Sequence, residues 1–325
     1  MEYRYLGQTG IKVSKLCLGT LTFGGDADEA ESKAMFHRCR DVGINIFDCG
    51  DIYQEGRSEK ILGKLIADCR DEVIITSKCY FPTSDDPNAR GASRRHIMLS
   101  VEGSLKRLNT DYIDIYFIHH FDGNTPLQET LRALDDLVIQ GKILYSAASN
   151  FAAWQVMKAL GLSAKEGWAQ FKCIQPMYNL VKRQAEVEIF PMAQSESLGV
   201  LTYNPLGRGL LTGKYNESEQ PKQGSLINDP TYSIRYGQDW MANVALNFSE
   251  LARKQGFLPA SLAIAWVASH PAVTAPIIGV RNLYQLEIAL KSLEIGMTPN
   301  LKAQISALSQ RPMSATDRTE ELSNT

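Results

Sequence analysis

Four side chains with complementary chemistry lie at or near the ends of short apolar runs. Asp48 closes the run at 44–47, Tyr53 follows after a tight turn, and Lys78 and His119 close two later runs. A buried carboxylate needs a cationic or hydrogen-bonding partner, and Lys78 is the natural partner of Asp48 if the two runs are adjacent strands. Taken alone, the stretch also fits a simpler interpretation in which Asp48 caps a helix and Tyr53 fills a loop.

The lysine gives the phenol a chemical role. A neighbouring ammonium stabilises a phenolate and lowers the pKa of the phenol, so we expect Lys78 to make Tyr53 a usable general acid. Asp48 would hold the lysine charged and fixed, and His119 could donate to a substrate oxygen. Such a site suits protonation of a carbonyl oxygen as hydride arrives at carbon.

Hydride chemistry needs a cofactor, and a glycine-rich basic segment at 203–214 offers features that bind one. Its backbone N–H groups could hold a pyrophosphate, with Arg208 or Lys214 adding positive charge, and Tyr203 offers a flat face for a nicotinamide ring. A glycine-rich loop alone is a weak signal. The residues that we assign to this contact are Tyr203, Asn204, Pro205, Leu206, Gly207, Arg208 and Lys214. We also assign Asp48 and the residues after the first barrel strand, Gly19, Thr20 and Leu21, to the cofactor contacts.

A second candidate for phosphate binding follows the last predicted strand. Gly279 and Arg281 precede a predicted helix, at the place where many barrel proteins bind phosphate. Arg281 suggests the 2′-phosphate of NADPH, with NADH as the alternative. Arg281 could also be an ordinary surface arginine.

The composition is that of an ordinary globular protein. The chain has 325 residues and a net charge of −2, which gives no reason to expect a nucleic-acid or membrane partner. Its six cysteines include no C-x-x-C pair, which argues against a metal site and favours free thiols. Met1–Tyr5 is not a signal peptide and no apolar run reaches membrane-spanning length, so we expect a cytoplasmic protein.

Strands and helices alternate along the chain. A hairpin is predicted from 3–6 and 11–14, and eight later apolar runs are predicted as strands at 16–19, 44–47, 73–78, 112–118, 143–148, 171–175, 200–203 and 275–278. Helices are predicted at 28–42, 58–65, 93–108, 126–139, 151–160, 184–198, 243–255, 259–269, 282–293 and 300–309. A polar segment at 215–239 interrupts the pattern as a lid or a surface loop, and about the last fifteen residues form a polar tail.

Regular alternation fits an open doubly wound sheet or a closed barrel. Eight units in about 300 residues favour a single-domain (β/α)8 TIM barrel with an N-terminal hairpin and extra C-terminal helices. No strand precedes a G-x-G-x-x-G helix start, which weakens the alternative. In a barrel the polar strand ends converge on one mouth: Gly19, Thr20, Asp48, Lys78, His119, Ser149, Asn150, Gln175, Tyr203, Asn204, Gly279 and Arg281.

These motifs, taken in order, resemble the aldo-keto reductase superfamily across the span from Gly19 to Gln285. The matching pieces are F-D-C-G-D-I-Y at 47–53, S-E at 58–59, I-T-S-K at 75–78, D-I-Y-F-I-H-H-F-D at 114–122, S-N-F at 149–151, Q-P-M-Y-N-L at 175–180 and the loop at 203–214. S-R-R-H-I at 93–97 is most similar to the branch with potassium-channel β subunits and aflatoxin-aldehyde-type reductases.

The resemblance implies a catalytic tetrad of Asp48, Tyr53, Lys78 and His119. It also implies that nicotinamide stacks on Tyr203 and that its carboxamide is held by Ser149, Asn150 and Gln175, while Arg281 and Gln285 reach the adenosine. The sequence departs from the family pattern at Leu21, where many relatives have Trp or Met beside the cofactor, and at Ile288 and Ala289, where an acidic or amide pair is common.

The substrate is the least constrained part of the prediction. We expect the pocket rim to include parts of 215–240 and six side chains: Leu21, Phe23, Tyr80, Phe121, Asp122 and Trp240. Asp122 could accept hydrogen bonds from a hydroxyl, which suggests a hydroxylated, sugar-like carbonyl or the corresponding alcohol. Two other functions stay open: an NADPH-binding redox-sensing regulatory subunit, and a barrel hydrolase or isomerase that uses Asp48 and His119 without nicotinamide.

Overall fold

A closed barrel of parallel strands forms the centre of the structure, a computed structural model that describes residues 1–214 and 230–318. Each strand pairs with the next, and the last pairs with the first. The predicted (β/α)8 architecture is therefore confirmed. The barrel strands are β3 (Cys17–Gly19), β4 (Ile46–Asp48), β5 (Ile74–Cys79), β6 (Ile113–Ile118), β7 (Ile143–Ser149), β8 (Cys173–Gln175), β9 (Gly199–Thr202) and β10 (Ala275–Gly279).

The predicted hairpin is also present and closes the N-terminal end of the barrel. Its strands, β1 (Tyr3–Tyr5) and β2 (Lys12–Ser14), pair antiparallel. Leu6 and Val13 are fully buried and belong to the apolar cluster inside the barrel. A Cβ on Gly199 would lie 2.5 Å from Leu6 Cδ1, so only glycine allows this close approach of the hairpin to β9.

The helices pack around the barrel and shield the outward-facing side chains of its strands. Among the described residues they are α1 (Glu29–Asp41), α2 (Arg57–Ile66), α3 (Arg94–Leu108), α4 (Leu127–Ile139), α5 (Ala153–Glu166), α6 (Ile189–Ser195), α7 (Pro230–Tyr236), α8 (Asp239–Lys254), α9 (Pro259–Ala268), α10 (Leu283–Leu290) and α11 (Pro299–Ser306). Asp28, Ser93, Asn282 and Thr298 cap their helices through side-chain oxygens.

Three predicted segments differ from the structure. The helix predicted at 184–198 is a 3-10 turn at Gln184–Glu186 and then α6, because the backbone at Glu188 leaves the helical region. The helix predicted at 282–293 ends as a 3-10 turn after α10. The polar segment at 215–239 contains α7, and the lid that we predicted there lies mostly outside the described residues.

Two layers of apolar side chains hold the fold together. One cluster fills the barrel and includes Ile46, Phe117 and Leu201, and a larger one fills the space between strands and helices. Within the described ranges, no helix has the length and apolar composition needed to cross a membrane. The barrel thus provides a rigid frame whose strand ends are fixed in register.

Candidate active site

Lys78 joins three groups at the C-terminal end of the barrel. Its Nζ donates to Asp48 Oδ2 at 2.7 Å, to the Cys49 carbonyl oxygen at 2.6 Å and to the Tyr53 hydroxyl at 3.1 Å. An ammonium has three protons, so these three acceptors use its full donor capacity. Lys78 is fully buried and Asp48 is 3% exposed, which makes this a desolvated ion pair with fixed geometry.

Two further donors hold the other oxygen of Asp48. Thr76 Oγ1 donates to Oδ1 at 2.7 Å and Gln175 Nε2 donates to it at 2.8 Å. Thr76 lies opposite Asp48 in the register of β4 and β5, and Lys78 lies two residues further along, so all three face the same side. The register of β4 and β5 therefore brings the Asp48 carboxylate within hydrogen-bond distance of the Lys78 ammonium.

Lys78 is charged as we expected, but the pKa of Tyr53 is shifted in the opposite direction from our expectation. Burial opposes the charge of Lys78, but Asp48 and Tyr53 outweigh it and hold the pKa of the lysine above its usual range. Burial raises the pKa of Tyr53 to about 12, and the opposing effect of Lys78 is smaller. The lysine does favour the phenolate, but it does not lower the phenol pKa below its ordinary value. Tyr53 is thus a protonated phenol at neutral pH.

His119 lies beside Tyr53 as a neutral imidazole. The two rings are 6.0 Å apart in an edge arrangement, and Phe81 contacts the other side of His119 at 4.9 Å. Burial, with smaller effects from Lys78 and His120, lowers the pKa of His119 to about 3. Its Nδ1 is buried without a hydrogen-bond partner among the described residues. A neutral ring next to the phenol can donate one hydrogen bond to a substrate oxygen.

The turn that carries Tyr53 is strained. Gln54 and Glu55 adopt left-handed backbone angles, with φ of 50° and 57°. Two consecutive non-glycine residues in this region are costly and occur where surrounding structure fixes them. Gln54 Nε2 donates to the Leu21 carbonyl oxygen at 2.9 Å, which ties the turn to the loop after β3. The bond from Gln54 to this loop and the bond from Lys78 to the Tyr53 hydroxyl together fix the position of Tyr53.

A second network lies at the ends of β7, β8 and β9. Tyr203 donates its hydroxyl to Asn150 Oδ1 at 2.6 Å, and Asn150 Nδ2 donates to Ser149 Oγ and to the His119 carbonyl oxygen. Ser149 donates to the Gln175 carbonyl oxygen. Asn150, Gln175 and Tyr203 line a cavity of about 370 Å³. The predicted nicotinamide contacts are therefore neighbours, but the cavity extends toward Val156 of α5 and Ile189 of α6, and none of the four catalytic candidates lines it.

The glycine-rich segment forms a tight turn directly after β9. Gly207–Thr212 is a 3-10 segment, and the backbone at Asn204, Gly207 and Arg208 is left-handed. Asn179 Nδ2 donates to the Asn204 carbonyl oxygen, which anchors the start of the turn. Of the other predicted cofactor contacts here, Pro205 is buried, Leu206 is half-buried and Lys214 is exposed.

The predicted adenosine end lies at the start of α10. Gly279 is exposed, and a Cβ there would meet no atom within 4 Å. Arg281 Nε pairs with Asp26 Oδ2 at 3.1 Å, and its backbone N–H donates to Gln285 Oε1 at 3.0 Å. The Arg281 side chain is partly exposed and extends from a helix start, and Asp26 competes for it.

The three predicted cofactor contacts at the end of β3 and in the loop after it differ in their exposure to solvent. Gly19 ends the strand, Thr20 is fully buried, and Leu21 is 54% exposed at the mouth. Thr20 Oγ1 donates to the Asp48 carbonyl oxygen and shares a hydrogen bond with Ser58 Oγ. The Thr20 side chain therefore braces the site from inside, and Leu21 is the side chain that faces outward.

One of the predicted substrate contacts is wrong, and a second is bonded within its own loop. Phe23 is fully buried in the core and cannot line an open pocket. Asp122 accepts from the N–H of Ala92, the N–H of Asn124 and the hydroxyl of Thr125. Burial opposes its charge, but these bonds outweigh it and hold the pKa of Asp122 below its usual range. Asp122 therefore organises its own loop, which weakens the argument for a sugar-like substrate.

The other predicted pocket residues are partly exposed aromatic side chains. Tyr80 packs against Phe81 and His120, and Phe121 packs against Phe151 and Trp154. Trp240 lies in the first turn of α8, is 37% exposed and donates to Gln238. Its described hydrogen bond is local and does not connect it with the catalytic group.

Sequence reasoning missed three contributors to the site. Thr76 and the Cys49 carbonyl oxygen hold Asp48 and Lys78, and Phe81 packs on His119. The signal for Thr76 was present, since it lies two residues before Lys78 and so faces the same side of β5. A carbonyl contact leaves no trace in side-chain types. Within the described residues, no group of three or more histidine, cysteine or acidic side chains is arranged to hold a metal.

Comparison with known proteins agrees with this geometry. The sequence profile of the aldo/keto reductase family matches residues 15–310. The chain is 37% identical to an uncharacterized oxidoreductase, YrpG, of Bacillus subtilis, over 96% of this chain and 97% of that protein. It is 35% identical to a probable voltage-gated potassium channel subunit beta of Oryza sativa, over 95% of this chain and 97% of that protein.

A third relative is the versiconal hemiacetal acetate reductase of Aspergillus parasiticus, which is 33% identical over 92% of this chain and 94% of that protein. The potassium channel subunit and this reductase match the branch that the sequence resembles. The family profile matches nearly the whole barrel, and relatives above 30% identity cover almost the whole chain. The chain therefore belongs to the aldo/keto reductase family.

Proposed function

We propose that this protein is an NADPH-dependent reductase that interconverts a carbonyl compound and its alcohol. The observation that carries the proposal is the single hydrogen-bonded group formed by Lys78, Asp48 and the Tyr53 hydroxyl. Because Lys78 donates to the Tyr53 oxygen, the phenolic proton is left to be given to a substrate. Tyr53 would be the proton donor, and a single barrel domain would carry cofactor and substrate.

The residues present fit a dinucleotide cofactor. Tyr203 and Asn150 are joined by a hydrogen bond, and Gln175 is bonded to Asp48, so polar groups that could hold an amide-bearing ring lie beside the catalytic group. The turn after β9 and the Arg281 side chain at the start of α10 would contact the phosphates, with Arg281 leaving Asp26 to do so. A reduced nicotinamide, when bound there, would supply the hydride.

The protein residues would manage the proton and the orientation. His119, neutral across the physiological range, would donate a hydrogen bond to the carbonyl oxygen and polarise it. As hydride reaches the carbon, the oxygen becomes an alkoxide, which is a stronger base than a phenolate. The proton of Tyr53 would then move to that oxygen, and Lys78 would stabilise the phenolate left behind.

The structure favours an apolar or aromatic carbonyl substrate over a sugar. Phe81, Tyr80 and the exposed Leu21 lie around the catalytic residues or the barrel mouth, and Asp122 is committed to its own loop. Two relatives, from fission and baker's yeast, are described as putative aryl-alcohol dehydrogenases. We therefore propose an aryl or aliphatic aldehyde or ketone.

A fluorescence titration with NADPH and NADH, followed by a carbonyl and alcohol panel, tests this proposal. We expect tighter binding of NADPH and faster turnover of aryl aldehydes than of polyol aldehydes. An absence of binding by both cofactors would favour a barrel hydrolase or isomerase instead.

The similarity to potassium channel beta subunits supports a second candidate, an NADPH-binding regulatory subunit. It predicts the same cofactor binding with negligible turnover over the whole panel, together with co-purification of a membrane protein. Turnover with any carbonyl at an ordinary enzymatic rate would favour the reductase.

A further inference from the structure

Asp51 is a buried acid next to the catalytic group that the proposed reaction does not use. It lies in the turn between Asp48 and Tyr53 and is 3% exposed. Its backbone N–H donates to the Lys78 carbonyl oxygen at 3.1 Å, while Lys78 Nζ donates to the Cys49 carbonyl oxygen. The turn is therefore attached to both the backbone and the side chain of the lysine.

The carboxyl group of Asp51 has no hydrogen-bond partner among the described residues. Neither oxygen accepts a hydrogen bond of good geometry, and the nearby N–H of Ile52 favours the charged form less than burial and Glu59 oppose it. A buried carboxylate without a partner is costly, so the neutral acid is the form that fits this position.

The surroundings of Asp51 disfavour its charge further. The ionisable groups that face it are Glu59 on α2, Arg107 on α3, Lys78 and Cys79 on β5, and Tyr116 on β6. Arg107 offsets these effects only in part because its Nε is bonded to Glu59 at 2.6 Å. Burial and then Glu59 raise the pKa of Asp51 to about 7.

We propose that Asp51, as a neutral acid, is a positioning residue for the Lys78–Tyr53 pair. Uncharged, it lets the turn at 49–52 pack against Lys78 and leaves Asp48 as the carboxylate that balances the ammonium beside Tyr53. When Asp51 loses its proton, a second carboxylate near Lys78 disfavours the phenolate and strains the buried turn. Proton donation then slows. This inference rests on the proposed reduction.

The effect on stability has a definite sign. An aspartic acid in the unfolded chain ionises near pH 4, whereas Asp51 in the fold keeps its proton to about pH 7. Between these values the folded state binds the extra proton, so stability falls as pH rises through this window and is constant above it. The substitution Asp51→Asn removes this dependence.

The test compares the wild type with Asp51→Asn, and with Asp68→Asn as a matched control at an exposed position. We expect the difference in Tm between Asp51→Asn and wild type to grow from about pH 4 to about pH 7 and then level off. Wild-type kcat should fall to about a tenth between about pH 6 and about pH 8 if only the neutral form turns over. Asp51→Asn should keep its kcat, with KM unchanged, and Asp68→Asn should behave as wild type.

Equal pH dependence of Tm and kcat in wild type and Asp51→Asn would overturn the proposal. If Asp51→Asn does not fold, the infrared band of a protonated carboxyl in the wild type decides, since it should be present at about pH 6 and lost by about pH 8. Absence of that band at the lower pH would also overturn it. The Tm and infrared results do not require turnover, so they separate a failure of this inference from a failure of the proposed reductase activity.

Discussion

At the scale of single residues, the site depends on one lysine whose three protons all have acceptors. The pairing of Lys78 with Asp48 could be predicted because adjacent parallel strands bring their ends together. The protonation of Tyr53 could not, because it depends on how far burial outweighs a neighbouring charge. Residue types indicate which groups interact, whereas the extent of burial decides whether the pKa of Tyr53 is raised or lowered.

The substitution Lys78→Met should destabilise the fold strongly. It leaves Asp48 as a buried carboxylate without its cation, which typically costs about 3–5 kcal/mol. Urea unfolding measures the change in the free energy of unfolding, and the double variant Lys78→Met/Asp48→Asn should recover part of it. A loss below about 1 kcal/mol in the single variant would mean that the ion pair contributes no more than an exposed one.

The substitution Arg281→Ala should weaken NADPH binding and leave NADH binding unchanged. Loss of a charged hydrogen bond to the 2′-phosphate corresponds to roughly tenfold or more in Kd. Asp26→Asn should tighten NADPH binding, since Asp26 competes for Arg281. Lys64→Ala, at an exposed pair on α2, is the control. Equal losses for NADPH and NADH would show that Arg281 does not recognise that phosphate.

At the scale of elements, periodicity predicted the strands and most helices, because each buries one apolar face against the barrel. Periodicity did not predict the bounds of α6 or the presence of α7. Pro191 and the backbone at Glu188 limit α6 to a short helix, and α7 lies within a polar stretch without a clear apolar stripe. The role of Asp122 is difficult to predict for a related reason, since an acid after a strand can bind its own loop as readily as a ligand.

The packing of α2 against α3 gives a prediction at this scale. A Cβ on Gly63 would lie 2.5 Å from the Leu108 carbonyl oxygen, whereas one on Gly161 in α5 would meet nothing within 4 Å. Gly63→Ala should therefore destabilise by about 1–3 kcal/mol, and Gly161→Ala should stabilise by up to about 1 kcal/mol. Thermal and urea unfolding measure both. Similar effects of the two substitutions would contradict the close packing of α2 on α3.

At the scale of the whole molecule, closing the barrel makes distant residues into one site. Gln175 and Asp48 are far apart in the sequence, and their side chains are joined by a 2.8 Å hydrogen bond. Eight parallel strands predicted this convergence, because all their C-terminal ends open on the same face. The same reasoning does not predict the substrate pocket, since loop side chains such as Phe23 and Asp122 are placed by local packing.

The central claim, that Tyr53 supplies the proton in a hydride transfer, is tested most directly by a single-turnover measurement. Wild type and Tyr53→Phe are each saturated with NADPH, binding is followed by fluorescence, and oxidation of the cofactor is timed after addition of an aryl aldehyde. We predict unchanged NADPH binding and a rate lower by roughly 10²–10⁴ in Tyr53→Phe. A variant that binds NADPH and oxidises it at the wild-type rate would contradict the account.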